Sequence, residues 1–284
     1  LMASGMPRGI CTETWVIDHK DIIQDLQRAY IQAGSQVIYA PTFGGNSINL
    51  EKHGLRDKIE EINRTLVGYS KELAGSGIYV AGDITTSGSF ITADGDYTYT
   101  EAYNMYQEQI RILADAGIDL IAAETMINIE ETLAAVDAAA SVCDLPIMCT
   151  MTVEADGSIF SGGNAIEAAV SLEAAGADAV GINCSVGPDQ LVSVVRNIRD
   201  NVSIPVIAKP NAGMPSISPE TGEAVYSMAP EDFSKSMLKL RAAGASILGG
   251  CCGTTPAHIA AMIQRCKTIF PAPLQPKERT VISS

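Results

Sequence analysis

Positive charge is scarce in this chain: 19 Lys and Arg stand against 33 Asp and Glu in 284 residues, a formal net charge of −14. No basic cluster is present, and a nucleic-acid groove or an anionic membrane surface demands the opposite sign, so neither is expected as a partner. Long apolar runs are lacking too. The most apolar helix-patterned stretch, 132–142, is short and alanine-rich, which excludes a bilayer-spanning helix of ordinary length. There is no cationic start followed by an apolar core and a small-residue cleavage site, so no signal peptide is expected and a cytoplasmic location is the default. The 7 cysteines are too sparse and uneven for a disulfide scaffold. Cys11, Cys143, Cys149 and Cys266 have no special setting and read as small buried hydrophobes or idle thiols. Also missing is a G-x-G-x-x-G phosphate turn after an early strand, which counts against a doubly wound open sheet.

What is present is an ordinary globular balance, 46% hydrophobic and 18% charged residues, and a recurring phrase. Ala33-Gly34, Ala116-Gly117, Ala175-Gly176 and Ala243-Gly244 each close a helix-patterned stretch and open an apolar one. A glycine there suits the left-handed position just past a helix end. Strands are expected at 36–43, 78–84, 120–125, 146–152, 179–185, 205–211 and 247–253, mostly as continuous apolar runs typical of parallel strands buried on both faces. Helices are expected between them, including 21–33, 101–116, 165–175, 188–200 and 230–243. This alternation predicts an α/β fold, a (β/α)8 TIM barrel over 1–270, with an extended tail or linker at 271–284. Only seven strands are counted and 1–16 contains none, so the first strand is expected upstream of residue 1 or replaced by an irregular segment.

Thr42, Asp83, Glu124, Thr150, Asn183, Cys184, Asn211, Cys251 and Cys252 fall at or near the C-terminal ends of these strands. A barrel gathers such ends into one mouth, whereas an open sheet spreads them along an edge at about 4.8 Å per strand. The most informative run is Gly-Gly-Cys-Cys-Gly-Thr-Thr-Pro at 249–256. Neighbouring side chains on a regular strand point to opposite faces, and the flanking glycines relieve that restriction. With Cys184 ending another strand, three thiolates at about 2.3 Å form a reasonable zinc site with one position open, although vicinal cysteines can also be simply buried. Zinc deprotonates a thiol whose free pKa is about 8.5 and keeps its sulfur nucleophilic, which suits alkyl transfer to sulfur. Glu124 ends an apolar strand and calls for a cationic partner, either a substrate ammonium or a structural ion pair. Asn211 and Asp83 read equally as substrate-orienting or local backbone chemistry, and the turn Thr42-Phe43-Gly44 offers backbone amides to a carboxylate. His258 reads as a surface or capping residue and not as a ligand.

Gly-Ile-Asn-Cys-Ser at 181–185, Pro-Asn-Ala-Gly at 210–213 and the run at 249–256 resemble the homocysteine S-methyltransferase family, with Thr-Phe-Gly, Gly-Asp-Ile and Glu-Thr in matching order. The likeness is greatest to the homocysteine-binding module of the cobalamin-dependent enzymes. It implies a (β/α)8 barrel, zinc on Cys184, Cys251 and Cys252, Glu124 and Asn211 in the homocysteine pocket, and attack of the zinc-bound thiolate on a methyl donor to give methionine. A methylcorrinoid such as methylcobalamin, presented by a separate domain or protein, is the expected donor; S-methylmethionine or betaine is the alternative. A second reading is a non-catalytic zinc-stabilised barrel that binds an amino acid or a partner protein. The family opens with a strand of the type Asp-Gly-x-x-Gly-Thr, and Leu1-Met2-Ala3-Ser4-Gly5 resembles the segment just after that strand.

Overall fold

Four helix ends set the rhythm of the chain. Gly34, Gly117, Gly176 and Gly244 all have positive φ, between 90° and 118°. The amide of the residue after each glycine reaches back five positions: Ser35 to Tyr30, Ile118 to Leu113, Ala177 to Leu172 and Ala245 to Leu240. This is the Schellman closure, which satisfies carbonyls that a helix end leaves open and aims the chain into the next strand.

A computed structural model describes residues 1–89, 91, 97–218, 224–271 and 273–277. Seven strands pair in chain order in one sheet, and a separate two-stranded hairpin interrupts the sequence before the last of them. Every strand expected from the sequence is present. The eighth strand of the expected barrel is not among the described residues, where no strand precedes Val37. No helix among them is long and apolar enough to cross a membrane.

Contacts divide the chain into two compact units. The first holds residues 1–124 and 130–148. In it run α1 (Thr12–Asp18), α2 (Lys20–Gln32), β1 (Val37–Tyr39), α3 (Ser47–Glu51), α4 (Ile59–Lys71), β2 (Tyr79–Ile84), α5 (Tyr99–Asp115), most of β3 (Leu120–Met126), most of α6 (Ile129–Val142) and the start of β4 (Ile147–Met151). β1 pairs with β2 and β2 with β3, both parallel. The segment 1–16 holds helix α1 where no strand was expected. Cys11, Trp15 and Val16 bury against Ile23 of α2 and Ile59, Ile62 and Leu66 of α4. A Cys11-to-Trp15 spacing of four is one helical turn, and that is the signal which marks the segment.

The second unit holds residues 125–129 and 149–284. It contains α7 (Ala165–Ala175), β5 (Ala179–Cys184), α8 (Val192–Asn201), β6 (Val206–Pro210), the hairpin β7 (Ser216–Ile217) and β8 (Ala224–Val225), α9 (Pro230–Ala243), β9 (Ile247–Leu248) and α10 (Pro256–Cys266). β6 pairs in parallel with β5 and with β9. β9 covers only Ile247–Leu248 of the expected 247–253, although the amides of Gly249 and Cys251 still donate to the Ala208 and Pro210 carbonyls of β6 at 3.1 and 2.9 Å. The expected helix 188–200 begins as a 3-10 turn, Pro188–Leu191, before α8. Of the extended tail expected at 271–284, residues 272 and 278–284 lie outside the described ones; the Pro273 carbonyl accepts from Arg199 at 2.6 Å and the Lys277 amide donates to Ser203 at 2.8 Å.

Two positions test this packing. A Cβ on Gly181 in β5 would lie 2.0 Å from the Ile207 carbonyl oxygen of β6, so Gly181→Ala must push two paired strands apart. A loss of about 1–3 kcal/mol or more is expected in urea unfolding. Gly68, inside α4 with nothing within 4 Å of its added Cβ, should respond oppositely. There Gly68→Ala is expected to gain about 0.5–1 kcal/mol. The buried Glu131 carboxylate accepts from Thr86 at 2.6 Å, the Ser87 amide at 2.8 Å and the Tyr106 hydroxyl at 3.2 Å. Glu131→Ala strands the Ser87 amide and removes the acceptor of Thr86, leaving Tyr106 only the Thr85 carbonyl at 3.1 Å, and should cost about 2–4 kcal/mol in the same measurement.

Candidate metal centre

Strand β5 ends on Cys184, and the chain turns there through two side-chain-bearing residues in the left-handed region, Cys184 at φ 61° and Ser185 at φ 45°. Such residues cost of order 1–3 kcal/mol each and persist only where neighbours over-determine them. The neighbours are visible. Ser185 Oγ donates to the Asn183 carbonyl at 2.9 Å and accepts the Val153 amide at 2.9 Å, while Asn211 Nδ2 donates to the Ser185 carbonyl at 2.9 Å.

The turn after β9 brings the other two thiols. The Cys251 amide donates to the Pro210 carbonyl at 2.9 Å, and the Cys252 amide to Asn211 Oδ1 at 3.0 Å. Asn211, 2% exposed, therefore bonds the backbone beside Cys184 with one end of its side chain and the backbone of Cys252 with the other. Thr254 closes the turn by donating its amide and hydroxyl to the Cys251 carbonyl at 3.1 and 2.7 Å. The Ala212 amide donates to the Cys252 carbonyl at 2.9 Å.

As a result, the sulfurs of Cys184, Cys251 and Cys252 all lie within 4.8 Å of one another, with Cys184 and Cys252 3.7 Å apart. Tetrahedral coordination at a zinc–sulfur distance of about 2.3 Å requires sulfurs about 3.8 Å apart, so this donor set fits that ion without rearrangement of the fold. The three thiols hold one another's protons. The Cys252 thiol is held well below its ordinary range by hydrogen bonds from Cys184 and then Cys251, while the Cys251 thiol is pushed up by its bonds with Cys184 and Cys252 and by burial. Of the remaining cysteines, Cys11, Cys149 and Cys266 are buried, and burial pushes Cys149 up to about 12 and raises Cys11 and Cys266 as well, while Cys143 is only half-buried.

Two further side chains stand at the sulfur-bearing turns and have no motif of their own. Asn183, wholly buried, carries Nδ2 3.8 Å from Cys251 Sγ. Tyr226, just after β8, packs on Gly253, and its phenol is pushed up to about 12 by burial and then by the Cys252 charge. A polar residue inside the apolar run 179–184 is a signal that Asn183 must be bonded. Tyr226 follows a segment with no local pattern, and only the fold delivers it. His258 is a cap, as expected, and buried, which was not: Thr255 donates its amide to Nδ1 at 3.2 Å, and Nε2 lies 2.8 Å from the Met228 carbonyl.

The other expected site residues lie in the first unit. Thr42 and Asp83 come together, Thr42 Oγ1 donating to the Asp83 carbonyl at 2.9 Å and accepting the Asp83 amide at 3.1 Å. Glu124 is half-buried, and its carbonyl accepts from Thr85 at 2.8 Å. The turn at 42–44 does bind a carboxylate, but it is the chain's own: Gly44 donates to Glu13 at 2.8 Å. The Thr42 amide goes to the Ala40 carbonyl and the Gly45 amide to the Thr42 carbonyl. Phe43 stands 39% exposed beside them.

Comparison with known proteins places this geometry. The family model for homocysteine S-methyltransferase matches residues 3–266. Methionine synthase of Mycobacterium leprae is 28% identical over 271 residues, 90% of this chain, and that of Mycobacterium tuberculosis 29% over 261 residues, 88% of it. The chain spans about a fifth of the length of these relatives, 22% in each case. Among solved structures, the oxidized form of the homocysteine methyltransferase MmuM from Escherichia coli superposes with a TM-score of 0.76 at 22% identity, covering 93% of this chain and 91% of that one. Its metallated form gives the same TM-score of 0.76 at 20% identity over 93% and 92%. These likenesses establish the fold, a parallel α/β sheet consistent with the TIM-barrel-like fold of homocysteine methyltransferases. With the family model spanning nearly its whole length, the chain belongs to the homocysteine S-methyltransferase family.

Proposed function

We propose that this chain binds zinc on Cys184, Cys251 and Cys252 and transfers a methyl group to the thiol of homocysteine, giving methionine. The observation that carries the reading is the spacing of the three sulfurs, within 4.8 Å of one another on turns that the chain's own hydrogen bonds brace. Zinc held by three cysteinates supplies an open position at which an acceptor thiol gives up its proton and keeps a nucleophilic sulfur. The chain's own residues do the rest. Asn211 sets the distance between the turn of Cys184 and that of Cys252, and Thr254 holds the carbonyl of Cys251 out of the way. In the transfer the acceptor sulfur forms a bond to the methyl carbon as the donor–carbon bond breaks, and the acceptor's proton passes to solvent.

A methylcorrinoid on a separate domain or protein is the donor favoured by likeness to the methionine synthases, in which this chain corresponds to about a fifth of the length. Glu124 is assigned the acceptor's ammonium group, the partner that a carboxylate ending an apolar strand calls for. Asp83 and Asn211 complete the polar groups assigned to the acceptor, while the turn of Thr42, Phe43 and Gly44 is left out because its Gly44 amide is taken by Glu13.

Reduced, zinc-loaded protein given homocysteine and methylcobalamin should form methionine while the corrinoid spectrum changes in step. Cys251→Ala should abolish both and bind less than one equivalent of zinc; methionine formed at the wild-type rate by that variant would sink the reading. Asn211→Ala should weaken zinc binding by about tenfold, measured by competition with a chromophoric chelator, as removal of an outer partner typically does. An unchanged affinity would remove Asn211 from the metal site. Glu124→Gln should raise KM for homocysteine and leave the zinc content intact.

A further inference from the structure

Two side chains at the metal centre, Asn183 and Tyr226, do more than complete its packing. Asn183 has two amide hydrogens. One goes to Thr125 Oγ1 at 2.9 Å, and Asn183 Oδ1 accepts the Thr125 amide at 2.8 Å; together they hold Thr125, a β-branched residue, at φ 59°. The same nitrogen stands 3.8 Å from Cys251 Sγ, an N–H···S distance. Cys252 has a counterpart. Tyr226 is seated directly on Gly253, the residue after Cys252, where an added Cβ would lie 2.3 Å from Tyr226 Cβ, and this sets its phenol beside Cys252.

A thiolate that accepts a hydrogen bond is a weaker nucleophile, because the lone-pair charge that would attack carbon is already engaged. Any protein that handles a reactive methyl group beside three cysteinates faces a choice of sulfurs. Methylation of a cysteine would form a sulfur–carbon bond while the donor leaves with the electron pair of its broken bond, and the centre would lose a ligand. We propose that Asn183 and Tyr226 protect the centre by damping Cys251 and Cys252, so that the methyl group goes to the acceptor thiol and not to the cysteines that hold the metal. The proposal rests on the metal and methyl-transfer reading above, and it makes the two residues specificity determinants for which sulfur is alkylated.

The test uses the full chain loaded with zinc and treated with methyl iodide, in the absence of homocysteine and corrinoid, with each cysteine's methylation followed by peptide mass spectrometry. Tyr226→Phe removes one hydroxyl from a half-buried ring and should speed methylation of Cys252 about three- to tenfold with Cys251 unchanged. Asn183→Ala should speed Cys251 by a similar factor. That variant also releases Thr125, so Thr125→Ala is the control: it loses the hydroxyl partner, keeps the donor to sulfur and should leave Cys251 at its original rate. Unaltered rates in Tyr226→Phe and Asn183→Ala, or a rise shared equally by all three cysteines, would overturn the proposal. Running the same series on EDTA-treated protein reads the hydrogen bonds without the metal. A chain that takes up no zinc therefore defeats the metal reading and still decides this one.

Discussion

Three sulfurs that share protons and are ready to share charge do not come together unaided. Their mutual repulsion when ionised, and the two left-handed residues needed at the end of β5, must be offset by the surrounding bonds. In this chain one buried amide does most of that: Asn211 ties the Ser185 carbonyl to the Cys252 amide, and so ties one cysteine turn to the other. β6, which delivers Asn211, pairs with β5 and β9 on its two sides, so the strand between the two cysteine-bearing turns supplies the clamp. The short spacing of 3.7 Å between Cys184 and Cys252 is a consequence of strand order as much as of the cysteines themselves.

Around this clamp the backbone is closed almost entirely by local groups. Thr254 and Thr255 cap the turn and the start of α10, His258 links α10 to Met228, and Met228 in turn donates to the Ala212 carbonyl. The chain of bonds runs from the cysteine turn through α10 and back to the residue after Asn211. Its effect is to hold the backbone of the cysteine turn through bonds of the chain's own. The same bracing fixes the turn of Cys251, on whose sulfur the Asn183 hydrogen bond acts.

Much of this was legible from residues alone because the signals are short in range. The Ala-Gly pairs mark helix ends through a backbone conformation that few residues other than glycine adopt, and all four have it. Apolar runs such as 147–151 and 206–210 read as strands buried on both faces, and every residue of both is buried. The paired cysteines between glycines announce a turn and a ligand set in one phrase. Where reading failed, the cause was equally physical. Segment 1–16 lacks strand character, and its helix exists because Trp15 and Val16 find α2 and α4, partners the sequence does not display.

The sequence by itself determined the alternation of strands and helices, the family, and the three thiols, since each depends on periodicity or on residues only a few positions apart. Tertiary structure alone decided how those thiols are held. It gave Asn211 the task of clamping two turns, gave the Gly44 amide to Glu13, and brought Asn183 to the sulfur of Cys251. Those outcomes hang on hydrogen bonds between residues 26 to 68 positions apart, and no local pattern encodes where a buried donor will find its acceptor.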